Sequence, residues 1–571
     1  MDAHKSLITN IFNNSTLVEV PFFQRSYVWK EDLWSRLLQD MEYVVKSRKP
    51  HFLGSIILKE GRKPKVGENF AACKTVVDGQ QRLTTFLIFL KVLCMKLNQT
   101  VLFDYQFRIM GKTIALRHGK NDIDAFERVM AAKNAETIET QARDSRIIEA
   151  FNYFVTNMDA TKLDIMTILM NTQFVQIDLD ADEDEQQIFD TINSLGVSLT
   201  TSELLKNYFF SRETVHEYEK CWEAVFEKDD ETRQYWDTEI ETGRVKRALI
   251  DIFFDSYFQI FVQDKQYSIV NEDKIMYARV DKLALSYQHF INKYCSGDKN
   301  TVLGPMKDYA SCFMQTFRPD FCKQNTPAAY GIERLNIVVF GLKTSTLIPY
   351  ILYVAKNVSD ENERNRIYGI LESYIMRRMV IHATTKNYNN LFTSLILNTV
   401  LDADSLIARL KSGSDATTYI PTNEELKEGF EKSKLVNLQS RGILYLIESR
   451  ERPEHSSTAL LGFDNYSLEH LMPKKWRNNW PSCETEEAAR RDSILLTLGN
   501  LAIIPQSLNA AIRDASWKIK KEGKGKKPGL DICAAGLITM YDVLQKDDWI
   551  EKDILARAEA LYNQALLLWE I

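Results

Sequence analysis

No CxxC pair occurs anywhere in the 571-residue sequence, and its eight cysteines (Cys73, Cys94, Cys221, Cys295, Cys312, Cys322, Cys483, Cys533) stand singly. That spacing excludes a zinc knuckle and a disulfide framework, so the thiols are expected to be reduced and mostly packed. No apolar run reaches the roughly 18 residues of a membrane span. The opening MDAHKSLITN lacks the charged-then-apolar order of a secretory signal, so a cytoplasmic protein with no membrane partner is expected. Glycine and proline are sparse, at 22 and 13, and no low-complexity tract is present, which excludes fibrous repeats. Charge of one sign is also missing: 72 Lys and Arg against 78 Asp and Glu leave a net charge of −6. The chain as a whole is no polycation for nucleic acid, and any DNA contact has to come from a local patch.

What is present is enough for two to four domains at roughly 100 to 200 residues each. Up to about residue 215, β-branched and apolar strand patterns (Phe52 to Leu58, Thr75 to Asp78, Phe174 to Leu179) alternate with helical ones, which predicts an α/β or α+β domain over 1–215. From 216 to 430 the apolar spacing is three-and-four, as in Ile367, Ile370, Leu371, Tyr374, Ile375 and Met379, and predicts a helical middle. After Pro453 and a Ser/Thr cluster, short strands and helices resume, giving a third domain over 431–571. The expected fold class is α+β and multidomain.

The first chemical motif is DGQQRLTT at 78–85. A strand ending in Asp78, a turn at Gly79 and a helix opening at Gln80 would present unpaired backbone N–H groups and the positive end of the helix dipole to an anion. Arg82 would add a bidentate fork, and Asp78 a partner for a ribose hydroxyl or a metal-bound water. The plainer alternative is a simple Asp-Gly turn with Arg82 paired to Asp78.

The second motif is Glu469-His470 followed by Leu471-Met472-Pro473, with Leu498-Gly499-Asn500 about thirty residues on and Asn509 beyond. Metal-assisted phosphodiester hydrolysis needs a base, a divalent ion and hard oxygen ligands. His470 suits the base, and Glu469 and Asn509 suit ligands for Mg2+ or Mn2+ on a strand, loop, strand, helix unit. Residues 517–527 hold six lysines, either a solvated loop or a phosphate-binding patch led by Lys518 and Lys520. A structural alternative stands beside each: a hydrogen-bonded histidine for His470, a turn-fixing amide for Asn500, a core aromatic for Trp517. Phe22, Phe23, Tyr27, Trp29 and Trp34 are either core or the wall of a pocket.

These motifs resemble the GmrSD-type modification-dependent (type IV) restriction endonuclease family, related to SspE and BrxU, over nearly the full chain. PFFQRSYVW at 21–29, FLGSI at 52–56, DGQQRLTT, and FDTINSLGVSLTTSELLKN at 189–207 look like its N-terminal motifs. The resemblance implies a ParB/sulfiredoxin-like domain that binds and hydrolyses nucleoside triphosphate, GTP or ATP, with Gln24, Arg25, Asp78, Gly79, Gln80, Gln81 and Arg82 lining a nucleotide or DNA site. It implies a C-terminal HNH-like ββα-metal nuclease embedded in helices, with Glu469, His470, Pro473, Asn500, Asn509 and Lys520 on its pattern. Here Asp514 stands where many relatives carry a second asparagine, and an aspartate would still bind the metal. Lys518, Lys520 and Lys521 would contact DNA. The implied function is anti-phage defence: recognition of modified double-stranded DNA, phage-derived or phosphorothioated, and its cleavage or nicking under nucleotide control. The resemblance would assign the aromatic-walled pocket to an altered base or a phosphorothioate sulfur. Oligomeric state stays open, a homo-oligomer included. The rival reading is a non-catalytic reader of modified DNA, or nucleotide sensor, with a degenerate nuclease domain.

Overall fold

The structure, a computed structural model, describes residues 2–22, 24–64, 68–140, 145–180, 200–210, 214–243, 245–413, 415–452, 459–506 and 514–571. Contacts divide the chain into two compact units, Met1–Glu223 and Ala224–Ile571. The mixed α and β character expected from the sequence is observed, with a sheet in the first unit and a mainly helical second unit. No helix among the described residues is long and apolar enough to cross a membrane.

In the N-terminal unit, six described strands form one sheet: β1 (Asp2–Leu7), β2 (Thr16–Glu19), β3 (His51–Glu60), β4 (Ala72–Asp78), β5 (Leu116–Arg117) and β6 (Thr172–Leu179), in the order β1-β6-β3-β4-β2-β5. β3 pairs with β6 in parallel and β2 with β4 in parallel, while β3 and β4 run antiparallel. The helices that matter to the site are α1 (Glu31–Ser47), α2 (Gln80–Lys96), α3 (Lys120–Ala131) and α4 (Arg146–Asn157). The unbroken apolar run after Thr85 is explained by burial: α2 is enclosed from Leu83 to Met95, with Phe86 against Phe174 and Phe89 against Phe154. Each enclosed ring of this kind contributes about 1.5–3 kcal/mol.

Beneath the start of α2 lies a buried polar cluster. The Tyr27 hydroxyl lies 2.5 Å from Thr85 Oγ1 and accepts from the Trp34 indole N–H at 2.9 Å. The Tyr27 backbone N–H donates to Asp122 Oδ2 at 2.8 Å, and His118 Nδ1 is 3.9 Å from the same oxygen. His118 Nδ1 and Asp122 Oδ1 are enclosed without a hydrogen-bond partner. Burial pushes the Asp122 carboxyl up to about 6 and the His118 imidazole down to about 3. Both shifts favour the neutral form, as desolvation requires.

The C-terminal unit is built on α5 (Leu249–Gln263), α6 (Glu361–Val380), α7 (Asn437–Glu451) and a long C-terminal helix, Glu551–Leu568. The expected stripe from Ile367 to Ile375 is buried, but so is most of the rest of α6, including charged Glu372, Arg377 and Arg378. Arg334 and Glu372 form a fully enclosed pair with two parallel bonds, 2.9 and 2.7 Å. Arg334 also donates to Ser449 Oγ (2.7 Å) and the Leu446 carbonyl (3.2 Å) on α7, and the Trp569 indole donates to Glu372 (3.2 Å). One buried charge pair thus ties α6, α7 and the chain's C-terminal residues together.

Two outcomes are expected. Glu372→Ala leaves the Arg334 charge enclosed and unpaired, which should cost about 3–5 kcal/mol, read calorimetrically as a lower unfolding midpoint; Arg334→Met with Glu372→Leu should cost far less. Asp122 has a folded pKa (about 6) above its ordinary 3.8, so its contribution is present at low pH and lost as pH rises through 6. Asp122→Asn should therefore raise the thermal midpoint at pH 8, by the equivalent of about 2–3 kcal/mol, and much less near pH 4. His118 shifts the other way and is lost as pH falls from its ordinary 6.5 towards 3, so it leaves the comparison at pH 8 untouched.

Candidate functional site

The N-terminal site grows from the β4–α2 junction. β4 ends at Asp78, Gly79 turns the chain with φ +100, and α2 begins at Gln80. A Cβ at Gly79 would lie 2.6 Å from Ile56 Cγ2, so only glycine fits there. On β3, Gly54 has φ +129, and a Cβ there would lie 3.0 Å from Arg82 Cδ. That glycine clears the path along which the Arg82 side chain runs to donate to the Ser55 carbonyl. Its other nitrogen sits 3.4 Å from Asp78 Oδ2, so the plain Arg82–Asp78 pairing is present. A lone glycine inside a strand is the sequence signal that could have placed FLGSI beside Arg82.

The structure brings Gln24, Arg25, Asp78, Gly79, Gln80, Gln81 and Arg82 together, but it employs the amides as stitching. Gln24 Nε2 donates to the carbonyls of Val76 (2.7 Å) and Val77 (3.1 Å). Gln80 Nε2 donates to the Arg25 carbonyl at 2.9 Å. Gln81 accepts from the Val28 N–H at 2.9 Å and donates to the Ser26 carbonyl at 3.2 Å. The groups left for an anion are the first-turn backbone N–H groups of α2, with the half-buried Asp78 and Arg82 side chains beside them. Of the aromatics, Tyr27 and Trp34 are core, Trp29 packs at its edge, and Phe22 lies 4.8 Å from Tyr218. Phe23 lies outside the described residues, as do residues 181–199 with most of the FDTINSLGVSLTTSELLKN block. His118 and Asp122 were not legible as members of this region.

The C-terminal site is a hairpin and a short helix. β7 (Tyr466–His470) pairs antiparallel with β8 (Leu501–Pro505), Glu469 opposite Ala502 and His470 opposite Leu501; α8 (Trp517–Glu522) follows. Successive strand residues face opposite sides, which sends Glu469 inward to α8. There Lys520 is fully enclosed, its ammonium bonded to Glu469 Oε1 and, at 2.6 Å, to the His470 carbonyl. Burial pushes Glu469 up and Lys520 down, each opposed by the charge of the other. His470 is half-buried and held down to about 4 by burial, then by the positive charges of Lys474 and Lys520, so its imidazole is uncharged near pH 7.

Asn500 is the turn-fixing amide. It is fully buried, bonds the Met472 backbone at both N–H and carbonyl (2.8 Å each), donates to the Leu495 carbonyl (2.9 Å) and accepts from the Trp549 indole (3.1 Å). These bonds fix the chain just past His470, where Pro473 follows. Trp517 is core, stacked on Trp549 at 5.6 Å.

The lysines divide sharply. Lys520, expected at a DNA phosphate, is instead inside the ion pair with Glu469, because α8 turns it onto the hairpin. Lys521 donates to the Lys546 carbonyl (2.9 Å), while Lys518 is exposed. Lys524, Lys526 and Lys527 project from a tight hairpin, β9 (Gly523–Lys524) with β10 (Lys527–Pro528), and all three are exposed. Asp514 lies close enough to act on both Glu469 and Lys520. Asn509 lies outside the described residues. Among the described residues no group of three His, Cys, Asp or Glu comes together as metal ligands. With Glu469 neutralised by Lys520, those residues do not by themselves complete a divalent-cation site.

No curated protein matches the chain. Residues 8–210 match the family described as "GmrSD restriction endonuclease, N-terminal domain", and residues 420–564 match "GmrSD restriction endonucleases, C-terminal domain". The two matched segments cover more than half of the sequence, and they contain the β4–α2 junction and the β7–β8–α8 hairpin respectively. The chain belongs to the GmrSD restriction endonuclease family.

Proposed function

We propose that the protein is a modification-dependent DNA endonuclease of phage defence, cutting with His470 and controlled by GTP or ATP bound and hydrolysed at Asp78 to Arg82. The observation that supports this most is the ββα arrangement of β7, β8 and α8, which holds a neutral imidazole at a strand end next to a buried Glu469–Lys520 pair. In this reading the C-terminal fold is HNH-like and the N-terminal one ParB/sulfiredoxin-like, with the helical segment between them linking the two activities. His470 takes the proton of the attacking water; a bond from its oxygen to phosphorus forms, the phosphorus–oxygen bond to the leaving nucleotide breaks, and that oxygen is protonated by solvent. A magnesium or manganese ion is the proposed cofactor; Asn509 and Asp514 would be its donors, joined by Glu469 only if its carboxylate is shared with or released from Lys520, and the ion would supply positive charge to the phosphate. The substrate is double-stranded DNA bearing a modification such as a phosphorothioate or a phage base mark.

One observation favours the rival reading of a non-catalytic modified-DNA reader: Glu469 is already neutralised by the enclosed Lys520. A cleavage assay over a panel of modified plasmids, with magnesium and with or without GTP or ATP, separates the two. His470→Ala should reduce cutting by about 10²–10⁴-fold and leave DNA affinity unchanged; cutting that survives the substitution removes His470 as the base, and no cutting by the parent protein on any substrate favours the reader. Equal cutting with and without nucleotide removes the regulatory half.

The exposed lysines give a second measurable outcome. Replacing Lys524, Lys526 and Lys527 by glutamine should weaken DNA binding across all sequences and flatten its salt dependence, by about 0.9 in slope for each phosphate no longer neutralised. An unchanged slope would show a merely solvated hairpin.

A further inference from the structure

The C-terminal unit contains a cavity of about 620 Å³ that neither candidate site uses. That is within the ~300–1,000 Å³ range of small-molecule pockets, which combine apolar walls with a few converging polar groups. Tyr235, Leu249, Phe340 and Leu438 are among its walls, and Arg441 and Lys323 bring positive charge to it. The other ionic residues in the lining are mostly matched already. Glu241 pairs with Lys343, and Asp320 is held by a two-bond fork from Arg318 at 3.0 and 2.9 Å.

Arg441 is different. It lies in the first turns of α7, its guanidinium over the Phe463 ring at 4.1 Å, and one nitrogen donates to the Tyr466 carbonyl at 2.9 Å. Its Nε is enclosed without a hydrogen-bond partner. Asp464, also in the lining, acts on it through space. A guanidinium carries five donors in a planar fork matched to carboxylate and phosphate, and a half-buried one lining a cavity, with Nε enclosed and one terminal nitrogen on Tyr466, can turn its remaining donors to an oxyanion. The Phe340 and Tyr235 rings offer flat apolar surface for the body of such a ligand. Tyr466 is the first residue of β7, the strand that ends in Glu469 and His470, so the Arg441–Tyr466 bond connects this cavity to the candidate catalytic strand.

We propose that this cavity is an effector site for a small organic oxyanion, its anionic group seated on Arg441 and its body against Phe340 and Tyr235, and that occupancy alters β7 through the Arg441–Tyr466 hydrogen bond. The ligand class is a phosphate or carboxylate on an organic body of about mononucleotide size. Neither the binding nor its effect on β7 depends on the nuclease reading, because both are measured without cleavage.

Titration calorimetry on the full chain with GMP, ribose 5-phosphate, citrate and inorganic phosphate tests the binding and separates organic phosphate, carboxylate and free phosphate. At least one organic probe should bind, more tightly than inorganic phosphate. Arg441→Met should weaken it by about tenfold or more, the worth of a charge-assisted hydrogen bond; Arg441→Lys should recover part of the loss. Because Arg441 also holds Tyr466, Leu438→Trp is the second variant: it fills the cavity without touching that bond and should abolish binding with the circular dichroism spectrum unchanged. Failure of every probe at millimolar concentration overturns the site, as does binding that persists in both Arg441→Met and Leu438→Trp. Hydrogen exchange at the amides of Tyr466 to His470 reads the connection. Saturating ligand should change it in the parent protein and leave it unchanged in Leu438→Trp; exchange indifferent to ligand in the parent overturns the link to β7.

Discussion

The enclosed Lys520–Glu469 pair is the contact on which the C-terminal site depends. β7 and β8 are five residues each and α8 is six. A two-stranded hairpin of that size is marginal in water, and a helix that short does not persist alone. Two charges taken out of water cost several kcal/mol each, and only close pairing with further hydrogen bonds offsets this. Lys520 meets that condition by binding both the Glu469 carboxylate and the His470 carbonyl. The pair therefore fixes where α8 sits on the hairpin and how the backbone at His470 is held. Around it, Asn500 locks the turn after His470, and Arg557 donates to the carbonyls of Leu498, Gly499 and Leu501 that lead into β8.

Polar groups turned inward shape the N-terminal unit too, by other means. Gly54 and Gly79 are places where a side chain would collide with Arg82 and Ile56, so two short motifs far apart in sequence are spatially one. The amides of Gln24, Gln80 and Gln81 hold the loop at 24–29 against the strand-turn-helix, which leaves the first-turn backbone N–H groups and Arg82 as donors an anion could meet, with the Asp78 carboxylate beside them as an acceptor. The glutamines of the motif thus serve mostly as scaffold. Below it, the Tyr27 N–H bond to Asp122 and the Tyr27–Thr85 bond anchor the same loop from inside.

Much of this was legible in the sequence. The strands around Phe52–Leu58, Thr75–Asp78 and Phe174–Leu179, and the helix through Ile367–Ile375, follow from period-two and three-and-four spacing, which are local properties. The Gly79 turn was legible because Asp-Gly between an apolar run and a helix has few other conformations. Asn500 as a turn-fixing amide and Trp517 as a core aromatic were readable from residue chemistry. Lys520 was not: among six lysines within eleven residues, no local pattern marks the one that folds inward. Nor were Arg334 and Glu372, whose pairing joins helices 38 residues apart in sequence.

The sequence by itself determined the family, through motifs whose residue types are fixed by turn geometry and by the chemistry of anions and bases. It also determined most elements, since helix and strand periodicity is written within ten or fifteen residues. Tertiary structure alone decided which side chains of a given type are used inside and which face outward: three glutamine amides serving as stitching, one lysine buried against Glu469, three more displayed on a hairpin, and Arg441 left beside a cavity. The reason is that burial and hydrogen-bond partnership are settled by residues tens to hundreds of positions away, and a charged or polar side chain carries no local mark of the partner that will enclose it.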